Sequence, residues 1–403
     1  MREAHSVTST ASNVKYDPYD LTLNADPYPA FAAIREEQPL YYNADHDFYA
    51  LSRYADVNAA LVDFKTFSSA RGAILELIKA NIPIPPGVVI FEDPPIHDIH
   101  RKLLSRMFTP KKVLGLEGQI RDYCAACLDP LVGTGNFDFV KDLGSQMPMK
   151  VIGMLLGIPE EDQSIIRDFA NDQMRTEDGK PMKAAEEGMT TAGNFEAYID
   201  WRAEHPSDDI MTELLNVEFK DEEGVVRKLR REELLTYLNV VAGAGAETTT
   251  RLIGWSGKVL AEHPDQRREL ARDPSLIPNA IEELLRFEPP APHVARYVTR
   301  DVEYYGQTVP EGSVMLMLLA AANRDSREFP DGDTFDIHRD IKAHLTFSAG
   351  RHLCLGMALA RLEGRIALEE ILKRFPEWEV DLSQAALSPT STVRGWDTLP
   401  ATI

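Results

Sequence analysis

The chain has 403 residues, 44% hydrophobic and 27% charged, enough for one large core or two coupled ones. Its 43 Lys and Arg against 64 Asp and Glu leave a net charge of -21, which repels phosphate backbones and excludes a nucleic-acid partner unless a basic patch is local. The N-terminal MREAHSVTSTASNVKYDPYD lacks the apolar run of a signal peptide and no later run is long enough to span a bilayer, so a cytoplasmic protein is expected.

In chain order, PLYYNADHDFYALSRYADV places two short aromatic-rich runs around Asn43 to His46, which predicts a hairpin, followed by a helix over Tyr54 to Leu61. Pro110 to His205 carries mostly amphipathic helical periodicity, broken at GTGNFD and at the polar MRTEDGKPMK, which reads as a mobile lid. Cys124 and Cys127 form C-x-x-C on one helix face with no second ligand pair nearby, so core packing is expected there over metal or redox chemistry, and three cysteines fit a reducing compartment. Arg231 to Arg286 holds a long helical pattern, a short one opening at HPDQRREL and a third ending before Pro289. Strands return in VEYYGQTVPEGSVMLML, punctuated by Gly306 and Gly312. No repeat or low-complexity linker divides the chain. The expectation is one mainly α domain over 1–403 with small β-sheets, its β-rich lobe drawn from about 38–65 and 294–320 plus C-terminal strands.

Four segments carry chemistry. Phe347, Gly350, His352, Cys354 and Gly356 form F-x-x-G-x-H-x-C-x-G before an amphipathic helix, where the helix dipole and free amides stabilise a thiolate suited to an axial iron ligand, although the loop taken alone reads first as a buried cysteine in a Gly-rich turn. In VVAGAGAETTTR, two glycines and a threonine hydroxyl weaken the helical ladder, so a bulge opening a groove for dioxygen is expected beside the acid Glu247 and the alcohol Thr248. Gly243 and Gly245 also give the G-x-G of a dinucleotide fingerprint, but the third glycine is missing and Asp265 starts a helix instead of ending a strand. Glu283 and Arg286 share a helix face. His97 and Arg101 lie one turn apart in EDPPIHDIHRKLL, which fits a pair able to clamp a carboxylate and, taken alone, equally a polar helix face.

Together, in order and spacing, these segments resemble the cytochrome P450 family, in its soluble bacterial class, over nearly the whole chain. The resemblance implies haem b between the long oxygen-activating helix and the cysteine-loop helix, with Cys354 as the proximal ligand. It further implies that His97, Arg101, Arg296 and His352 hold the haem propionates, that Glu247 and Thr248 activate dioxygen, and that Glu283 and Arg286 form a buried structural pair. Two departures from the family pattern stand out. Thr334 replaces a frequent arginine, so the third partner of the pair is either missing or supplied by another residue such as Arg339, and Ser348 replaces the glycine after Phe347.

The apolar GAILELIKANIPIPPGVVIF favours an apolar substrate, with acid, terpenoid, sterol and aromatic classes all open. By resemblance, Ile90, Ala244, Val294 and Val393 line its pocket. The implied activity is insertion of one oxygen atom from dioxygen, with electrons from a ferredoxin and its reductase, since no flavin or iron–sulfur motif is present. A monomer is expected. Lys102, Arg106, Lys111, Lys112, Arg361 and Arg365 would form a basic patch for the acidic partner. The rival readings are a peroxide-using relative and a haem-binding sensor or carrier, neither of which needs the acid–alcohol pair.

Overall fold

The computed structural model describes residues 14–403 except 159, 161–162, 165–166, 169–171, 173, 183–193 and 208. Strands β1 (Leu40–Asn43), β2 (Phe48–Leu51), β3 (Phe67–Ser68), β4 (Val294–Val298) and β5 (Val314–Met317) form one sheet in the order β1-β2-β5-β4-β3. The first two are the expected hairpin, paired Leu40 with Leu51 through Asn43 with Phe48. The alternation of a strand explains the covered sheet: Val314 and Leu316 enter a core with Phe31 and Phe48, whereas Met315 and Met317 enter another with Val57 and Phe67. Val302–Tyr304 and Gln307–Val309 form a separate hairpin, so the run VEYYGQTVPEGSVMLML divides between two sheets.

Helix α1 (Leu75–Ala80) packs into the smaller cores through Leu75, Leu77 and Ile78, and the helices that build the larger core are α2 (Ile96–Leu104), α3 (Glu117–Leu128), α4 (Met147–Leu156), α5 (Arg231–Glu262), α6 (Ile277–Phe287) and α7 (Met357–Arg374). On α6, Ile277, Ala280, Ile281 and Leu284 recur at helical spacing and are buried, each large side chain contributing about 2 kcal/mol. Cys124 is fully buried on α3, where desolvation pushes its thiol pKa up to about 12, and Cys127 packs half-buried beside the same core.

Two local expectations are corrected. The bulge expected in AGAGAETT is absent, because α5 runs unbroken for 32 residues and Thr248 Oγ1 bonds within it to Ala244 O at 2.9 Å. Gly245 serves close packing instead: a Cβ there would lie 2.6 Å from Ile152 Cδ1 of α4. The described part of MRTEDGKPMK, residues 174–182, is tied down rather than free. Thr176 N–H donates to Pro389 O at 2.8 Å, Gly179 N–H to Tyr19 O at 3.0 Å, and Arg175 to Asp397 at 2.8 Å. Lys183 lies outside the described residues.

Candidate active site

The cysteine loop closes on itself where Cys354 N–H donates to Phe347 O at 2.9 Å. Gly350 and Ser348 both adopt left-handed φ, +64° and +62°. Serine at such a position costs about 1 kcal/mol relative to glycine, and its Oγ is buried without a partner. Because α7 begins at Met357, the N–H groups of Gly356 and Met357 reach the Cys354 sulfur. Burial pushes the thiol pKa up; those two N–H groups and the charges of Arg101 and Arg361 pull against it. By area Cys354 is an exposed side chain, and it lines the central cavity.

That cavity has a volume of about 340 Å³. Ala244, Gly245, Thr248 and Thr249 of α5 form one wall, facing Phe347, Cys354 and Gly356 of the loop. Val89, Ile90, Ile152, Val240 and Val294 make its apolar lining. Within GAILELIKANIPIPPGVVIF, Leu77, Val88 and Phe91 instead pack a small core of their own, so only the end of the segment reaches the cavity. Val393 does not line it. Its carbonyl accepts from Thr390 Oγ1 within the C-terminal turn, and Arg394, held to Asn24 O and Ala25 O, draws that turn toward the N-terminal segment.

At the edge of the slot, His97, Arg101 and His352 gather, with Arg296 of β4 buried beside them. The His97 and His352 rings lie 4.5 Å apart, and the Nε2 atoms of both are buried without partners. Desolvation, then the neighbouring Arg296, His97 and Arg101, lower the His352 pKa to about 3; desolvation alone brings Arg296 down to about 10 against a pull from Asp93. Arg101 donates to Leu353 O at 2.6 Å, tying α2 to the cysteine loop. Orphaned imidazoles among guanidinium charges suit a paired carboxylate. Among the described residues no group of three or more His, Cys, Asp or Glu could hold a metal ion, so a metal at Cys354 would bring its remaining ligands with it, as in a macrocycle.

Behind the cysteine loop, Arg286 donates to Glu283 at 2.6 and 2.7 Å, and both are fully buried. Arg286 also satisfies the carbonyls of Asn323, Gly332 and Thr334, while Arg339 supplies the third partner, 3.2 Å from Glu283. Asn323 then carries the linkage to the loop, donating to Thr346 Oγ1 at 2.9 Å and accepting from Leu345 N–H at 2.7 Å.

The basic patch is smaller than its six cations promised. Arg361 pairs with Glu282 at 2.6 Å, Arg365 with Glu117 and Glu369 at 2.9 and 3.0 Å, and Lys112 with Glu213 at 2.7 Å. Arg106 lies 3.8 Å from the same Glu213. Lys102 and Lys111 are exposed, and no ion pair engages them among the described residues.

Two functional positions escaped sequence reading. Arg251 binds Glu247, which the spacing E-x-x-x-R at one helical turn signals. Glu363 on α7 lines the cavity, is buried with Oε2 unpartnered, and desolvation raises its pKa well above the carboxylate range; one more charged letter on an amphipathic helix gives no such warning.

A slot with one thiol at a helix start, a carboxylate cradle at its rim and an alcohol-bearing helix opposite defines a haem-thiolate protein. The chain belongs to the cytochrome P450 family. The family model described as Cytochrome P450 matches residues 182–394. The chain is 36% identical over 405 residues to the vitamin D(3) 25-hydroxylase of Pseudonocardia autotrophica, covering 98% of each. Its fold is similar to that of CYP109Q5 from Chondromyces apiculatus, with a TM-score of 0.84 at 34% identity over 96% of this chain and 98% of that one. It is also similar to P450BioI in complex with an acyl carrier protein carrying hexadec-9Z-enoic acid, with a TM-score of 0.83 at 30% identity over 95% and 100%. The protein is a haem-iron oxidoreductase of the monooxygenase type, and among the described residues no helix is long and apolar enough to cross a membrane.

Proposed function

We propose that this enzyme inserts one oxygen atom from dioxygen into a neutral apolar small molecule, using haem b and electrons from a ferredoxin and its reductase, as a cytoplasmic monomer. The observation that carries the reading is the placement of Thr248 on the α5 wall across an apolar cavity from Cys354. When bound, the haem supplies thiolate-ligated iron at which dioxygen is activated. Cys354 anchors it, and His97, Arg101, Arg296 and His352 take the propionates. Thr248 Oγ1 hands a proton into the cavity, and Glu247 replenishes it. Val89, Ile90, Ile152, Ala244 and Val294 exclude water and receive the substrate. The titratable lining residues other than Cys354 are His97, Arg101, His352 and Glu363, the first three of them in the propionate cradle, which supports a neutral substrate. Two of the relatives, one a vitamin D(3) 25-hydroxylase and one in complex with an acyl carrier protein carrying hexadec-9Z-enoic acid, support the apolar class.

Replacing Thr248 by Ala is expected to leave haem content and substrate affinity near the parent values while cutting the fraction of reducing equivalents that reaches product by about tenfold, the balance appearing as peroxide. Coupling at the parent level would remove Thr248 from proton delivery.

For the ferredoxin, the exposed Lys102 and Lys111 with Arg106 remain as a small basic surface near the cysteine-loop side. At about 0.15 M salt the Debye length is about 8 Å, so distant carboxylates are screened and such a surface still steers an acidic partner. First-electron transfer is expected to slow as ionic strength rises and to slow by about threefold on Lys111→Glu, with substrate binding untouched. Rates indifferent to both would discard this docking face.

A further inference from the structure

The acid that proton delivery requires is held away from where it must act. Glu247 is not part of the cavity wall; its carboxylate accepts from Nη2 of Arg251, one turn further along α5. Arg251 lies buried in a slot shaped to its side chain. Nη2 also donates to Ser388 Oγ at 2.9 Å, and Nη1 donates to Trp396 O and, at 3.3 Å, to Asp397. Gly395 floors the slot, since a Cβ there would lie 2.5 Å from Arg251 Cδ. Asp397 in turn accepts from Arg175 at 2.8 Å, and Arg175 bridges to Thr390 beside the Thr176–Pro389 hydrogen bond. Charge alternates along Glu247, Arg251, Asp397 and Arg175, so the two carboxylates compete for the guanidinium between them.

We propose that Arg251 is a positioning residue that holds the Glu247 carboxylate off the cavity, and that Asp397 and Arg175 set the strength of this hold and link it to the 174–176 strap. The proposal rests on the reading of Glu247 as the proton-delivering acid. An arginine keeps its proton and cannot pass one on, so Arg251 acts by place and charge alone. The step it governs is balanced simply: Glu247 takes one proton from water and passes one to Thr248 Oγ1, which gives its own to oxygen, and no electrons move. A carboxylate held to the guanidinium must leave it before it can serve Thr248 Oγ1, so a weaker grip speeds the step and a stronger one slows it.

The two ends of the surface-side ion pair then have opposite effects. Removing the charge of Asp397 leaves Arg251 wholly to Glu247, whereas removing Arg175 leaves Asp397 free to draw Arg251 away. A purely structural pair would give one sign for both.

The test uses the haem-loaded enzyme with dioxygen itself as the probe, reading the deuterium solvent isotope effect on dioxygen-dependent consumption of reductant. Asp397→Asn is expected to raise that effect by about twofold, and Arg175→Gln and Gly395→Ala to lower it by about twofold, with haem content unchanged. Should Gly395→Ala fail to fold, the Asp397 and Arg175 substitutions, both of partly exposed side chains, carry the test. An isotope effect unmoved by Glu247→Gln would overturn the reading of Glu247 as the acid. One that moves with Glu247→Gln while Asp397→Asn and Arg175→Gln shift it in the same direction, or leave it alone, would overturn the latch and leave the acid standing.

Discussion

Changing Cys354 to Ser is expected to abolish completely the red-shifted absorption band of the reduced, carbon-monoxide-bound protein, while Cys127→Ser leaves it in place. The reason lies in what the loop offers. Cys354 is the cavity-lining cysteine, and its sulfur meets the N–H groups of Gly356 and Met357 and the charges of Arg101 and Arg361, all of which favour the anionic form that a metal requires. Burial opposes them, so a free thiol here stays protonated more readily than in water, and a metal is what tips the balance. A hydroxyl in the same place is a far weaker donor. Cys127, half-buried on α3 against the core, has no access to the cavity lining. Persistence of the band in the Cys354 variant would overturn the assignment.

The second large effect is on stability. Glu283→Gln is expected to lower the unfolding free energy by about 3–5 kcal/mol, measured as a shift of the denaturant midpoint with the slope unchanged. Both members of the pair are 0% exposed, so removal of the carboxylate strands two guanidinium groups, Arg286 and Arg339, one of them wholly out of reach of water. The cost extends to the haem site. Arg286 holds Asn323 O, and Asn323 holds Leu345 and Thr346 at the entrance to the cysteine loop, so haem content should fall together with stability. A loss below about 1 kcal/mol would mean the charge is compensated elsewhere.

How much of this was readable beforehand depended on the range of the interaction. The hairpin at Asn43 to His46, the α5 and α6 helices and the cysteine loop follow from residues adjacent in the chain, through turn chemistry and helical spacing. Ile90, Ala244 and Val294 line the cavity, whereas Val393 is turned away by Arg394 bonding to Asn24 and Ala25, partners more than three hundred positions distant. The same holds for the glycines of AGAGAETT. Their sequence reads as a helix breaker, yet Ile152 from α4 fills the space at Gly245 and the helix continues.

Charge is where the tertiary structure decided most. Spacing alone determined that Glu283 faces Arg286, because three residues make about one helical turn, and the glycine-punctuated loop set Cys354 just before a helix. Which cations remain free for a partner was not written there: Arg361, Arg365 and Lys112 are claimed by Glu282, Glu117, Glu369 and Glu213, while no ion pair engages Lys102 or Lys111 among the described residues. Likewise Glu247 and Arg251 are a local pair, but whether that pair is open or held rests on Ser388, Gly395, Asp397 and Arg175. An ion pair forms by distance through space, and distance between remote segments exists only once the chain has packed.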